Sequence, residues 1–188
     1  VAKVTDVEEV VLLSTDGQPI GVAPKATVHD TQTPLHLAFS CHVLNDAGEV
    51  LVTRRALSKR AWPGVWTNSF CGHPQPGESS MSAVSRRADF ELGLTLADLT
   101  LSLPDFRYRA VDASGVVENE ICPVYLATAA SPIRAHPDEV MDHAWVDAAK
   151  LGESIRLSPW AFSPWLVLQA QELPLLGGVP VSREDVLR

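Results

Sequence analysis

Residues 59–78 read KRAWPGVWTNSFCGHPQPGE, a stretch with no helical or strand-like hydrophobic period and with turn formers throughout. It reads as one long loop, and irregular stretches of this length inside compact domains are more often functional than not. Regular structure must therefore assemble on either side of a segment that carries a cysteine, a histidine and two tryptophans. Before it, residues 36–44 alternate, placing Leu37, Phe39, Cys41 and Val43 on one strand face. Asn45-Asp46-Ala47-Gly48 then turns the chain into a second strand over 49–54. Earlier still, 7–14 reads as a strand, with Asp16-Gly17 turning it toward a short partner at 19–22.

After the loop, Ser79 caps a helix over 80–92 whose Met81, Val84, Ala88 and Leu92 form a buried stripe, and Gly93 ends it. Strands are expected over 99–109 and 116–126, joined by Asp112-Ala113-Ser114-Gly115. Another is expected at 143–147, leading into a short helix. Pro159 and Pro164 interrupt an apolar, Trp-rich segment that continues as a helix through Gln171. The tail after Pro174 carries no pattern. These elements predict an α/β (α+β) chain folded as a single domain over 1–188, with a mixed β-sheet flanked by helices.

Composition narrows the function. No apolar run approaches the ~18 residues of a membrane span, and Asp6, Glu8 and Glu9 interrupt any signal-peptide pattern. Three cysteines, an odd number, suit a reducing compartment, so the expected location is cytoplasmic. A formal charge of −8 argues against nucleic acid as partner, so a phosphorylated substrate needs locally clustered Lys and Arg. The pattern leaves monomer and homodimer equally open.

Candidate chemistry begins at Glu118-Asn119-Glu120. Side chains alternate along a strand, so both carboxylates face one side. A solvated strand face would tolerate them. The interior character of Ile121, Cys122, Pro123 and Val124 points the other way, to a buried pair that needs cations or protons. His29 and His36 bracket the entry to the preceding strand, and Cys71-Gly72-His73 sits in the long loop. Three histidines and two glutamates make a plausible divalent-metal set, with imidazole suiting zinc or manganese. His42, His136 and His143 are read as structural or solvent-facing, and Cys41 as core. Cys122 shares the side of Glu118 and Glu120 by parity and is given no role. Cys71 is either inert and buried or, beside a cation, an ionisable base.

The stretch 72–78, with Arg86, Glu91, Gly93 and Leu94, resembles the Nudix box, a loop–helix–loop that holds magnesium against a diphosphate. The match is partial. Arg87 and Phe90 stand where the hydrolases place glutamates, leaving Glu91 as the one obvious helix ligand. A surface ion pair between Arg87 and Glu91 is the plain alternative at that spacing.

More specific segments are 35–40 (LHLAFS), 53–58 (TRRALS), 62–69 (WPGVWTNS), Cys71-Gly72-His73-Pro74, Tyr108-Arg109-Ala110, Glu118-Asn119-Glu120 and 159–165 (PWAFSPW). Together and in this order, over about 7–170, they resemble the metal-dependent, Nudix-like isopentenyl-diphosphate isomerases. That resemblance implies interconversion of isopentenyl and dimethylallyl diphosphate. It implies one divalent ion (zinc, manganese or magnesium) on His29, His36, His73, Glu118 and Glu120. Glu120, near Tyr108, would deliver the proton, Cys71 would be the opposing base, and Trp165 would face the cationic carbon. A magnesium ion on Glu91 and the Cys71 carbonyl, with Lys25, Arg55, Lys59 and Arg87, would take the diphosphate. Arg54 should face away from Arg55. A Nudix diphosphohydrolase is the rival reading, and a catalytically silent diphosphate-binding module is another.

Overall fold

The computed structural model describes residues 8–178. β1 (Glu9–Leu13) and β2 (Pro19–Pro24) form an antiparallel hairpin, and α1 (Lys25–Val28) follows directly. The Asp16-Gly17 turn is present, with the Gly17 amide donating to the Ser14 carbonyl at 2.9 Å. β3 (His36–Leu37) and β4 (Phe39–Leu44) are separated only by Ala38, and β5 (Val50–Arg55) returns after the Asn45 turn.

The expected loop contains two short strands, β6 (Trp66–Thr67) on β5 and β7 (Phe70–Gly72) on β4. Two or three residues are too few to show a period, and these gain their order from pairing partners such as Thr53↔Thr67 and Ser40↔Cys71.

α2 (Ser80–Leu92) is capped as expected: the Ser82 amide donates to Ser79 Oγ, and Gly93 takes the left-handed φ of +55° that glycine adopts without strain. The buried stripe differs at one end. Met81, in the first turn, is 53% exposed, whereas the buried face begins at Ala83 and includes Arg87 and Glu91.

Each of the two later strand expectations splits. The first becomes β8 (Leu96–Leu103) and β9 (Arg107–Val111), and the second β10 (Val117–Ile121) and β11 (Val124–Ala129). The breaks fall at Pro104 and Pro123, which have no amide hydrogen to give a ladder. β12 (Val140–Val146) leads into α3 (Ala148–Leu157), whose cap Asp147 accepts from the Lys150 amide at 3.0 Å. A 3-10 turn at Pro159–Ala161 precedes α4 (Pro164–Glu172), which is capped by Ser163.

The mixed α+β architecture is distributed over two sheets, ordered β2-β1-β3-β10-β9 and β12-β5-β4-β11-β8. One parallel ladder runs through both, pairing β3 with β10 and β4 with β11. It bends where Ala38 donates to the Ile121 carbonyl and Ser40 to that of Pro123.

β4 is buried on both faces. Phe39, Cys41 and Val43 pack toward α2, while Ser40 and His42 are equally buried on the side of α4. Leu37 lies beyond the break, half-buried in the first sheet, and so does not share the Phe39 face. A second core packs Val50, Val52, Tyr108 and Val124 against α3 and α4. The sheet thus stands between α2 and the α3–α4 pair, with the site where the two sheets diverge.

Candidate active site

Strand register aligns the acid. Glu120 of β10 pairs with His36 of β3 on one side and Tyr108 of β9 on the other, so the three residues stand abreast in one sheet. Glu118, two residues earlier, faces the same way. His29 enters just after α1 and His73 just after β7.

The His36 Nδ1 lies 2.9 Å from the Pro34 carbonyl, which makes it the protonated nitrogen and leaves Nε2 as a lone pair directed inward. That Nε2 is 3.4 Å from Glu120 Oε1, His73 Nε2 is 3.2 Å from the same oxygen, and His29 Nε2 is 3.1 Å from Glu118 Oε2.

These atoms fit a shared cation. Ligand atoms of His29, His36, His73 and Glu120 all lie within 4.8 Å of one another. His29 Nε2, His36 Nε2 and Glu118 Oε2 are buried without a hydrogen-bond partner. Ligands bound at roughly 2.1 Å to one ion sit about 3–4 Å apart, and orphaned lone pairs this deep are costly unless a cation takes them. Glu118 joins the group through its 3.1 Å approach to His29.

Charge reinforces the arrangement. Burial raises the Glu120 pKa, but the contacts from His36 and His73 outweigh it and hold the carboxyl well below its ordinary range. Burial lowers His73 to about 3, so it is neutral, as a metal ligand must be. Burial also pulls His36 down, but Glu120, Glu118 and the Pro34 carbonyl raise it on balance.

A cavity of about 570 Å³ opens beside this cluster, its lining including Glu118, Glu120, Cys71, Tyr108 and Trp165. Tyr108 and Trp165 rings are 5.8 Å apart, and Trp62 meets Trp165 edge-on at 5.5 Å. Burial pushes the Tyr108 phenol well above its usual value, keeping it a neutral donor. Burial likewise pushes the Cys71 thiol up to about 12, with Glu120 adding to it and Ser40 and Asn68 opposing. The protein alone therefore holds Cys71 protonated, and its use as a base requires added positive charge nearby.

The same cavity is also lined by Lys25, Arg55, Lys59 and Arg87, and the Arg55 guanidinium lies over the Trp165 ring, 5.2 Å from its centroid. The local cation cluster demanded by the net charge is thus present. Arg54 is absent from that lining and bonds the Gly64 carbonyl, as parity predicts. The Arg87–Glu91 pair forms, but it is buried rather than a surface pair, with side chains 3% and 8% exposed.

Glu91 borders a separate void of about 20 Å³ shared with Cys71, Lys59 and Glu139. That is room for about one water or small ion. Two counter-ions escaped the sequence reading. Glu139 pairs with Lys59 and lies 3.4 Å from Arg87, and Glu8 pairs with Lys25 at 2.6 Å and lies 3.6 Å from Arg87. Neither sits in a motif, and Glu139 meets Lys59 from 80 residues away. No spacing signal existed to find it.

The box residues act as scaffold. Arg86 makes a two-pronged bond to Glu78 at 2.8 and 2.7 Å and reaches the His73 carbonyl at 3.2 Å, fixing the loop that presents His73. A Cβ on Gly72 would stand 2.7 Å from Arg87 Cγ and 2.8 Å from the Phe39 ring, so only glycine lets helix and loop approach this closely. His42 is buried and hydrogen-bonded to Gln169, His136 stacks on Phe90, and His143 is exposed. Cys41 is core, and Cys122 is buried 3.4 Å from Ser40 Oγ.

Comparison with known proteins agrees with this picture. Residues 34–166 match the NUDIX domain. A protein of Agromyces mediolanus named isopentenyl-diphosphate Delta-isomerase is 65% identical over 171 residues, covering 91% of this chain and 83% of the relative. Proteins of the same name from Clavibacter sepedonicus (63%, covering 90% and 87%) and Leifsonia xyli (60%, covering 91% and 94%) follow. Among solved structures, a Deinococcus radiodurans protein superposes with TM-score 0.60 at 18% identity, covering 79% of this chain and 88% of that one. The MutT protein of Methanosarcina mazei gives 0.51 at 21%, covering 63% and 80%. At such identities these two speak for the fold alone.

Proposed function

The chain belongs to the NUDIX-domain isopentenyl-diphosphate Delta-isomerases and interconverts isopentenyl and dimethylallyl diphosphate, and we propose that Glu120 and Cys71 are its acid and base. The observation that carries this reading is the convergence of three histidines and two buried carboxylates beside a cavity that Lys and Arg side chains also line. A diphosphate suits those cations, and we assign the short hydrocarbon chain to the side of Glu120, Cys71 and Trp165.

An unactivated alkene is a poor base, so protonation needs a dry, positioned acid and a sheltered cation. The chain alone holds Glu120 ionised and Cys71 protonated, so forward turnover starts from the form in which Glu120 has taken up a proton and Cys71 has released one. A divalent ion on His29, His36, His73, Glu118 and Glu120 would supply charge that offsets the buried carboxylates. We read that ion as zinc, manganese or magnesium, and assign a magnesium ion accompanying the diphosphate to Glu91 and the Cys71 carbonyl.

Glu120 gives its proton to the terminal CH2 carbon, and the π pair becomes the new C–H bond. Positive charge is left on the tertiary carbon. Trp165 presents its ring there, a contact worth about 2 kcal/mol when desolvated, or roughly thirtyfold in rate. Cys71 as thiolate takes a proton from the adjacent methylene, and that C–H pair becomes the new double bond. Tyr108, abreast of Glu120, supports it as a neutral hydrogen-bonding group. Lys25, Arg55, Lys59 and Arg87 hold the diphosphate, with Arg suited to forked contacts. The described residues include no helix long and apolar enough to cross a membrane, and we place the reaction in the cytoplasm with the whole chain as one catalytic unit.

Incubation with isopentenyl diphosphate and magnesium in D2O tests the reading. The expected result is dimethylallyl diphosphate carrying deuterium on carbon. Release of phosphate or pyrophosphate without isomerisation would instead establish a hydrolase.

A further inference from the structure

Asn68 lies in the irregular segment between β6 and β7 and has no part in the chemistry above. Its side chain is fully buried. Nδ2 donates to the Cys41 carbonyl at 3.0 Å and the Phe70 carbonyl at 2.7 Å. Those two acceptors fix which way round the amide sits, since the reverse orientation would set oxygen against two oxygens. Oδ1 in turn accepts from three donors: Thr67 Oγ1 at 2.9 Å, Trp165 Nε1 at 2.9 Å and the Cys71 thiol at 3.2 Å.

We propose that Asn68 is a positioning residue for the isomerisation: one amide oxygen, locked by two main-chain carbonyls, holds the resting Cys71 thiol and the Trp165 indole relative to each other, so that the sulfur is in place before its proton leaves. The inference rests on the reading that Cys71 removes the methylene proton and Trp165 faces the cation. Cys71 comes from β7 and Trp165 from α4, 97 residues beyond Asn68, and this oxygen is hydrogen-bonded to both. The thiol swings about a single bond. Without Asn68 its remaining polar contact is Ser40 Oγ at 3.3 Å, a hydroxyl that also lies 3.4 Å from Cys122.

The cation formed by Glu120 has two exits. It can lose a methylene proton to Cys71 and go forward, or return a methyl proton to Glu120 and go back. A misplaced sulfur slows only the first. In D2O the return path leaves deuterium in recovered isopentenyl diphosphate, because the methyl group then carries two light hydrogens and one heavy. The ratio of exchanged substrate to product therefore reports sulfur placement. A general loss of folded enzyme lowers both quantities together and leaves the ratio unchanged.

The test compares Asn68→Ala, Asn68→Ser and Asn68→Leu with the parent enzyme, each checked for cooperative melting and for binding of magnesium pyrophosphate. In any folded variant the exchange-to-isomerisation ratio should rise about tenfold or more, since an error of about 1 Å in placing a reacting group costs on the order of a hundredfold. A folded variant with the parent's ratio would overturn the proposal, and failure of all three to fold would assign Asn68 a purely structural role instead. Cys71→Ala in the same assay separates the two layers. If it still isomerises, the acid–base reading fails whatever Asn68 does.

Discussion

Glu120 and His36 lie abreast in a parallel pair of strands, with His36 Nε2 3.4 Å from a Glu120 oxygen and Nδ1 tied to the Pro34 carbonyl. Backbone pairing sets this relationship, and a slip of one residue would put the two side chains on opposite faces. The proposed acid thus rests largely on sheet register. The proposed base, Cys71, is also in a strand, β7, opposite Ser40 of β4, and Trp165 stands at the start of α4, with the Asn68 amide oxygen bonded to both.

Metal removal should be visible in stability as well as turnover. His29 Nε2, His36 Nε2 and Glu118 Oε2 are buried and unpartnered, so an ion that satisfies them binds the folded chain alone. At a hundredfold its Kd such an ion adds about 2.7 kcal/mol, so a strong chelator should lower the melting temperature by roughly 5–10 °C. Zinc or manganese should restore it better than calcium, which prefers all-oxygen shells. A melting temperature indifferent to chelator would contradict the site.

Glu91 and Arg87 separate ligand binding from folding. Glu91→Gln should mainly raise the magnesium concentration needed for half-maximal activity. Arg87→Ala should cost about 3–5 kcal/mol of stability, because it leaves Glu91 buried without its cation, whereas Glu139 keeps Lys59. Denaturant unfolding measures the second effect. Destabilisation below about 1 kcal/mol would mean the pair behaves as an exposed one.

Much of this molecule was legible in the sequence, for reasons that differ by residue. Ser79 and Gly93 bounded α2 because capping chemistry is local. Glu118 and Glu120 shared a face because parity is local too. The small strands β6 and β7 were invisible, since their order comes from partners in β5 and β4. Met81 was misplaced because periodicity does not reveal where a helix first meets its sheet. The clustered histidines stood out only jointly with the resemblance, since His29 and His36 are brought to His73 by tertiary folding. Glu139, Glu8 and Asn68 were given no part in the site, because their partners there are distant in sequence.

His42 should make the fold acid-sensitive independently of the metal cluster. Burial holds its pKa near 4, against about 6.5 for a free imidazole. The unfolded chain therefore binds more protons between these values, and stability falls as pH drops from about 6.5 toward 4. The total loss is about 3 kcal/mol. His42→Gln keeps a donor for Gln169 but does not titrate. The stability difference between parent and variant should shift toward the variant across that window, and a constant difference from pH 7 to 4.5 would refute the assignment.

Trp165 distinguishes cation stabilisation from packing. Trp165→Phe keeps an aromatic face with a weaker quadrupole, and Trp165→Leu keeps only bulk. Turnover and affinity for an ammonium analogue charged at the tertiary centre should both fall in the order Trp, Phe, Leu. Equal analogue affinity in all three folded proteins would leave Trp165 as core.

The most direct measurement is the isomerisation rate of Cys71→Ala and Glu120→Gln beside the parent enzyme, with metal content and substrate affinity determined on the same samples. The proposal assigns both side chains to carbon rather than to the diphosphate, and neither substitution removes the Cys71 main-chain carbonyl. Each variant should therefore bind substrate while losing at least the 10²–10⁴-fold typical of an acid–base group. A rate within about threefold of the parent in a metal-loaded sample of either variant would contradict the account.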